Sequence, residues 1–125
     1  MTARSASRYV LVVDDDTDVR ESMADILRIE GLEAVVARDG GEALHLLQTR
    51  GDKPSLILLD LMMPRMSGWE LLEHLGRDRA LASIPVCVVS ASGAALPSGA
   101  QAMLSKPFDM QRLLEVVATH AGSPR

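Results

Sequence analysis

The sequence predicts an α/β fold, a (βα)5 three-layer sandwich whose parallel sheet is covered by helices on both faces. Three observations favour this fold. Short apolar runs alternate with amphipathic segments along the chain, as in a series of strand–helix units. The runs are almost continuously apolar, for example at residues 10–13 and 56–59, which is typical of strands buried on both faces. Polar residues stand where these runs stop, at Asp14, Asp60 and Ser90.

The apolar runs define the strands. We predict strands at residues 9–13, 33–37, 55–59, 84–89 and 102–105. Between the first two runs, Met23, Ile26 and Leu27 fall on one face of a helix over residues 18–30, and Gly31 ends that helix.

Local start signals predict the later helices. Two pairs have the spacing of a capping box and begin the second and third helices: Asp39 with Glu42, and Ser67 with Glu70. These helices are expected to end near Arg50 and Gly76. The last helix is marked by an apolar stripe at helical spacing: Met110, Leu113, Leu114 and Val117.

The alternation of strands and helices predicts a flavodoxin-like sheet with strand order 2-1-3-4-5. In that order, strands 1 and 3 flank the point where the connections change direction, and ligands bind at the carboxyl ends of such strands. The connection between the fourth and fifth strands departs from the pattern, because it is short and contains Gly93, Pro97 and Gly99. Glycine and proline are poor helix formers. We therefore expect the helix between the fourth and fifth strands, the fourth of the five helices in this fold, to be shortened or disordered.

Composition limits the function classes. The 125-residue chain is long enough for one domain, which we place at residues 9–120 between flexible segments at 1–8 and 121–125. A net charge of −4 argues against direct binding of nucleic acid. No apolar stretch reaches the length of a membrane span, and the single cysteine lies within a predicted strand, so we expect a cytoplasmic protein. The single tryptophan, Trp69, and the methionines at helical spacing are expected to be packing residues.

Three carboxylates are predicted to converge at one edge of the sheet. Asp14 and Asp15 follow the first strand and Asp60 ends the third. Carboxylates this close repel one another unless a cation lies between them, and oxygen ligands without His or Cys favour Mg²⁺ or Mn²⁺. A carboxylate in such a site can accept a phosphoryl group as an acyl phosphate. Lys106 and Ser90 could then stabilise the added charge.

These residues occur in a pattern that resembles the receiver domain of bacterial two-component response regulators, over residues 8–120. The resemblance rests on five motifs: Val12-Val13-Asp14-Asp15, Leu59-Asp60, Met63-Pro64 with Gly68, Val89-Ser90-Ala91, and Lys106-Pro107-Phe108. It implies that Asp60 is the phosphoacceptor and that Asp14, Asp15 and the backbone carbonyl of Met62 bind the metal with it. Ser90 would be the switch hydroxyl and Lys106 the phosphate-binding lysine, with a cis peptide bond before Pro107.

Two features depart from the family pattern. Family members usually have Tyr or Phe three residues before the lysine, where this chain has Met103. They also usually have a full fourth helix. Both departures fall on the surface through which the family commonly signals, so the resemblance implies phosphorylation chemistry without the usual readout.

The sequence thus predicts a signalling module, not an enzyme, that is phosphorylated by a sensor histidine kinase or a phosphotransfer protein and acts through contacts with a downstream protein. Two alternatives remain open at this point. One is a Mg²⁺-dependent phosphohydrolase of the haloacid-dehalogenase type, although Asp60 is followed two residues later by Met62 and not by a carboxylate. The other is a pseudo-receiver that binds partners without being phosphorylated.

Overall fold

The computed structural model describes residues 9–91 and 95–121. This part of the chain forms five strands and four helices in alternation, except that no helix separates the last two strands. The elements are β1 (Tyr9–Val13), α1 (Thr17–Ile29), β2 (Glu33–Ala37), α2 (Gly40–Thr49), β3 (Leu56–Asp60), α3 (Gly68–Gly76), β4 (Val86–Ala91), β5 (Ala102–Lys106) and α4 (Met110–Ala121).

The five strands form one parallel sheet in the order β2-β1-β3-β4-β5, which confirms the predicted topology. In the register, Val13 lies opposite Leu59 on β3, and Asp60 lies opposite Val89 on β4. Asp14 and Asp60, each at or just beyond the end of its strand, therefore lie at the same edge of the sheet.

The core consists of two apolar layers, one on each face of the sheet. One layer packs strand residues against α2 and α3, and the other packs the alternate strand residues against α1 and α4. In β1, for example, Leu11 and Val13 belong to the first layer and Val10 and Val12 to the second. Because successive side chains of a strand point to opposite faces, both sets must be apolar, and this is why the strand runs are continuous.

Side-chain caps begin α1 and α3. Asp16 is the N-cap of α1, and its carboxylate accepts hydrogen bonds from the N–H groups of Asp18 and Val19. The capping box of α3 is complete: Ser67 accepts from the Glu70 N–H, and Glu70 accepts from the Ser67 N–H. These caps fix the direction in which each helix leaves the edge of the sheet that carries the carboxylates.

The capping box predicted for α2 is only half formed. The Asp39 carboxylate accepts from the Glu42 N–H at 2.8 Å, but the Glu42 carboxylate accepts from the Arg38 N–H and not from that of Asp39. Asp39 thus still caps the helix, and its second carboxylate oxygen remains available for another donor.

The connection from β4 to β5 has no helix over residues 95–101. Gly99 has a φ of +94°, a conformation that glycine adopts without strain, and the Gln101 N–H returns to the Val86 carbonyl at 2.9 Å to begin β5. The described residues therefore agree with the prediction that the helix between β4 and β5 is shortened. Residues 92–94 lie outside the described part of the chain. β4 itself extends to Ala91, two residues further than predicted, which shortens the connection again.

The expectation that Trp69 and the methionines at helical spacing are packing residues is wrong for two of them. Trp69 is 47% exposed and Met110 is 55% exposed. Met62, in the loop after β3, is 70% exposed. α3 buries Leu71, Leu72 and Leu75 on one face, and Trp69 falls outside that face. Among the helices of residues 9–91 and 95–121, none has the length and apolar character needed to cross a membrane.

Candidate functional site

Three carboxylates meet at the carboxyl edge of the sheet. Asp14 and Asp60 are buried, at 2% and 6% exposure, whereas Asp15 is exposed. One carboxylate oxygen from each of the three lies within 4.8 Å of the others, the spacing of a set of metal ligands. The ligands are all hard oxygen donors, and the exposed Asp15 leaves one side open. These features fit a divalent cation that keeps several water molecules, as Mg²⁺ does.

Hydrogen bonds to the backbone of Asp14 hold the loop that carries Asp14 and Asp15. The Asp14 N–H donates to the Ala37 carbonyl of β2 at 3.1 Å, and the Arg20 guanidinium donates to the Asp14 carbonyl at 2.9 Å. One Asp14 carboxylate oxygen accepts from the Asp16 N–H at 2.9 Å. The Asp14 side chain is therefore fixed before any ligand binds, and its other oxygen faces the site.

Lys106, the last residue of β5, faces this oxygen. Its Nζ lies 3.5 Å from Oδ2 of Asp14 and 3.8 Å from Oδ1 of Asp60. The lysine side chain is 32% exposed, so its charge is partly shielded from solvent. The peptide bond between Lys106 and Pro107 is cis, as the resemblance implied. One ammonium group thus lies between two of the three carboxylates.

Burial destabilises the charged form of both buried carboxylates. Burial and, after it, the negative charge of Asp14 raise the pKa of Asp60 to about 6, although Lys106 opposes both effects. Burial also raises the pKa of Asp14. Two unit charges about 4 Å apart repel by about 4 kcal/mol at an effective dielectric constant of 20. A bound divalent cation would remove this repulsion, which is a second reason why the donor set fits a metal.

The structure also locates the other predicted site residues. Ser90 is buried near the end of β4, one residue beyond the partner of Asp60 in the sheet register, and Ala91 lies opposite Lys106. The Met62 N–H donates to Oδ1 of Asp60 at 3.3 Å. Met103 is half-buried on β5, opposite Val88. All of these positions except Met103 lie at the carboxyl edge of the sheet.

Gly68, the first residue of α3, lies against the backbone of Asp60. A Cβ atom at this position would be 2.6 Å from the Asp60 carbonyl oxygen and 2.7 Å from Cα of Leu61. The Gly68 N–H donates to the Leu61 carbonyl at 2.9 Å. The glycine therefore allows α3 to begin in direct contact with the strand end that carries the central carboxylate.

Comparison with known proteins identifies the family. A model of the response regulator receiver domain matches residues 10–118. The chain belongs to the response regulator receiver domain family. Response regulator MprA of Mycolicibacterium vanbaalenii is 40% identical over 114 residues, covering 84% of this chain and 46% of that protein. This receiver chain thus spans about half the length of the curated relatives it matches.

Solved structures agree with this assignment. The receiver superimposes on chemotaxis protein CheY4 of Vibrio cholerae with a TM-score of 0.81 at 28% identity, covering 92% of this chain and 99% of that one. The receiver domain of the Francisella response regulator 1452 gives a TM-score of 0.80 at 32% identity, covering 92% and 97%. The fold is therefore shared over nearly the whole length of the chain.

Arg65, in the loop of this receiver between β3 and α3, was not singled out by the sequence. Its backbone has a φ of +66°. Within the described ranges, no other non-glycine residue has a positive φ. Its guanidinium donates to Oδ2 of Asp39 at 3.0 Å. The left-handed conformation costs a non-glycine residue about 1–2 kcal/mol, whereas an exposed ion pair contributes about 0.2–1 kcal/mol. The pair by itself does not offset the strain, and no sequence pattern marks such a conformation at an arginine.

Proposed function

We propose that this receiver accepts a phosphoryl group on Asp60 from a sensor histidine kinase or a phosphotransfer protein, in a reaction that depends on Mg²⁺ or Mn²⁺. The proposal rests on one observation: the carboxylates of Asp14, Asp15 and Asp60 lie within 4.8 Å of one another, and Lys106 faces two of them. The metal would be held by these three carboxylates and the backbone carbonyl of Met62, and would neutralise charge on the transferring phosphoryl group.

Asp60 has the properties of the nucleophile in this proposal. A carboxylate oxygen of Asp60 forms a bond to phosphorus while the bond from phosphorus to the donor breaks, and the donor leaves with the electron pair. The Met62 N–H holds Oδ1 of Asp60 in place, so the carboxylate is oriented before the reaction. Lys106, with Nζ at 3.8 Å from Asp60, stabilises the charge that the new acyl phosphate adds.

The phosphorylated receiver would signal through Ser90 and the surface near β5. Ser90 is buried on β4, one residue beyond the sheet partner of Asp60, which places it beside the strand end where the charge would be added. Met103 has no hydrogen-bonding group with which to couple to Ser90. We therefore propose that output passes to a downstream protein through the backbone around β4 and β5, and not through an aromatic side chain at position 103.

The phosphohydrolase alternative is less favoured. Such enzymes need a carboxylic acid two residues after the nucleophile, and Met62 occupies that position after Asp60. Asp14 does have Asp16 two residues later, but the Asp16 carboxylate accepts hydrogen bonds from the Asp18 and Val19 N–H groups as the cap of α1. The position of Asp16 two residues after Asp14 is therefore explained by its role as a helix cap, without a catalytic role.

We further propose that residues 9–120 form the receiver unit, with short segments on either side, and that it works in the cytoplasm, where a kinase can reach it. Helix α4 ends at Ala121, one residue beyond the proposed end of this unit.

Incubation with a small acyl phosphate and Mg²⁺, followed by mass spectrometry, tests the proposed function. We expect one added phosphoryl group in the wild type, none without the metal, and none in Asp60→Asn. Asp25→Asn is the matched control, because Asp25 is an exposed carboxylate on α1 away from the site, and it should be labelled like the wild type. Persistent labelling of Asp60→Asn would reject the assignment of Asp60, and an unlabelled wild type would favour the pseudo-receiver.

A further inference from the structure

The loop between β3 and α3 is attached to the start of α2 by two adjacent contacts. Arg65 donates to Oδ2 of Asp39 at 3.0 Å, and Met66 packs over Gly40, where a Cβ atom would lie 2.9 Å from Met66 Cγ and Sδ. The loop begins immediately after Asp60 and contains Met62. A contact in the middle of this loop therefore restrains the residues next to the phosphoacceptor.

Asp39 makes a rigid anchor for this contact. Its side chain is only 13% exposed, while that of Arg65 is 75% exposed. One carboxylate oxygen accepts from the Glu42 N–H as the cap of α2, and the other accepts from Arg65. These two hydrogen bonds, the one from Glu42 first, lower the pKa of Asp39, so it stays charged at neutral pH.

The anchor is also tied to the acidic loop of the site. Asp39 follows β2 by two residues, and the carbonyl of Ala37, the last residue of β2, accepts from the Asp14 N–H at 3.1 Å. The pair of Arg65 and Asp39 thus connects the loop after β3, with Met62, to the backbone segment that supports Asp14. Both loops that supply the carboxylates are therefore held by the same short stretch of chain, residues 37–39.

The strained backbone conformation of Arg65 indicates that its side chain is needed to hold the β3–α3 loop in place. A glycine at this position would relieve the strain of the positive φ, yet the chain has an arginine there. An exposed ion pair contributes less to stability than this strain costs, as described above. Strained residues persist where the surrounding structure demands them, and they cluster at functional sites.

We propose that Arg65 is a positioning residue for the phosphoacceptor site: through Asp39 it holds the β3–α3 loop so that Asp60 and the Met62 carbonyl are arranged for the metal and the phosphoryl group. This inference rests on the proposed function. It assigns no contact with the reacting atoms to Arg65, and it concerns binding and rate more than stability.

Arg65→Gly is the decisive variant, because it removes the ion pair and relieves the backbone strain together. Removal of a positive charge near an acidic site would, by electrostatics alone, strengthen binding of Mg²⁺. Loss of positioning would weaken it, by about tenfold if Arg65 behaves like other groups that orient metal ligands. The sign of the change in Mg²⁺ affinity therefore separates the two effects.

Three further variants complete the comparison. Asp39→Asn retains a good helix cap but loses the charged partner, and it should weaken Mg²⁺ binding as Arg65→Gly does. In the double variant the two losses should not add, since each removes the same contact. Arg38→Ala is the matched control: Arg38 is also exposed, next to Asp39, but its ion pair is with Glu42, so Mg²⁺ affinity should be unchanged or slightly higher.

The measurements are Mg²⁺ titration by calorimetry, the rate of phosphorylation by a small acyl phosphate at saturating Mg²⁺, and amide hydrogen exchange of residues 61–67 without metal. For Arg65→Gly we expect weaker Mg²⁺ binding, a slower rate and faster exchange in the loop, with a melting temperature within about 4 °C of wild type. Wild-type Mg²⁺ affinity and rate in Arg65→Gly, with a labelled wild-type protein, would overturn this inference and leave the proposed function intact. An unlabelled wild type would overturn both.

Discussion

At the scale of single residues, the site combines groups that are unfavourable to the resting fold. Asp14 and Asp60 are buried next to each other, and Lys106 compensates only part of their charge, since burial and Asp14 still raise the pKa of Asp60 to about 6. A fold selected for stability alone would replace one of them with a neutral residue. The two buried carboxylates therefore support the proposed metal site.

Asp60→Asn should stabilise the metal-free protein at neutral pH. The pKa of Asp60 is raised from 3.8 to about 6, so the folded state binds a proton more tightly than the unfolded state, and stability falls as pH rises through this window. A shift of this size corresponds to an upper limit of roughly 3 kcal/mol at pH 7.5. Thermal unfolding without metal checks this: the variant should melt higher than wild type at pH 7.5, and the difference should shrink at pH 5.

The exposed Asp25→Asn variant provides the control for this experiment, because it removes a carboxylate that lies outside the cluster. At pH 7.5 without metal, it should lack the increase in melting temperature that is expected for Asp60→Asn. Equal melting temperatures of Asp60→Asn and wild type at pH 7.5 would contradict the repulsion between Asp14 and Asp60.

At the scale of elements, the contact between β3 and α3 positions the central carboxylate. Gly68→Ala would place a methyl group 2.6 Å from the Asp60 carbonyl oxygen, so β3 and α3 must separate. We expect a loss of roughly 1–3 kcal/mol in the free energy of unfolding, as for other overpacked sites, and slower phosphorylation of Asp60. Denaturant unfolding and the labelling rate with an acyl phosphate measure the two effects.

Gly76→Ala, at the other end of α3, is the matched control. Within the described residues, apart from the chain neighbours and the backbone of α3 itself, no heavy atom lies within 4 Å of a Cβ at Gly76. Alanine is also the better helix former by about 1 kcal/mol. This variant should be as stable as wild type or more stable, with an unchanged labelling rate. If Gly68→Ala behaves like Gly76→Ala, the close approach of α3 to Asp60 has no functional role.

The elements were largely predictable because their signals are local. Continuous apolar runs and the polar residues that end them located the strands, and Asp16 and Ser67 cap helices as side-chain chemistry requires. Glycine and proline in the β4–β5 connection correctly argued against a full helix. The positive φ of Arg65 and its pairing with Asp39 could not be predicted, because they depend on the packing of two loops that are distant in sequence. Exposure of Trp69 depended likewise on which face α3 buries.

At the scale of the whole molecule, the sheet order brings the site together. β1 and β3 are neighbours in the sheet although α1, β2 and α2 lie between them in the chain, so the carboxylates of Asp14 and Asp60 meet only in the folded state. Lys106 arrives from the edge strand β5. A ligand that binds to all of these groups therefore binds the native state and not the unfolded chain, and this couples the site to global stability.

Mg²⁺ should accordingly raise the melting temperature. A ligand specific for the folded state stabilises it by RT ln(1 + [L]/Kd), which is about 2.7 kcal/mol at 100 times Kd. For a domain of this size we expect a shift of roughly 10 °C. Asp14→Asn removes one ligand and should lose most of the shift, whereas Asp25→Asn should keep it. NaCl at equal ionic strength separates binding from screening of the carboxylates: an equal shift with NaCl, or a full shift in Asp14→Asn, would show that no divalent cation binds between Asp14, Asp15 and Asp60.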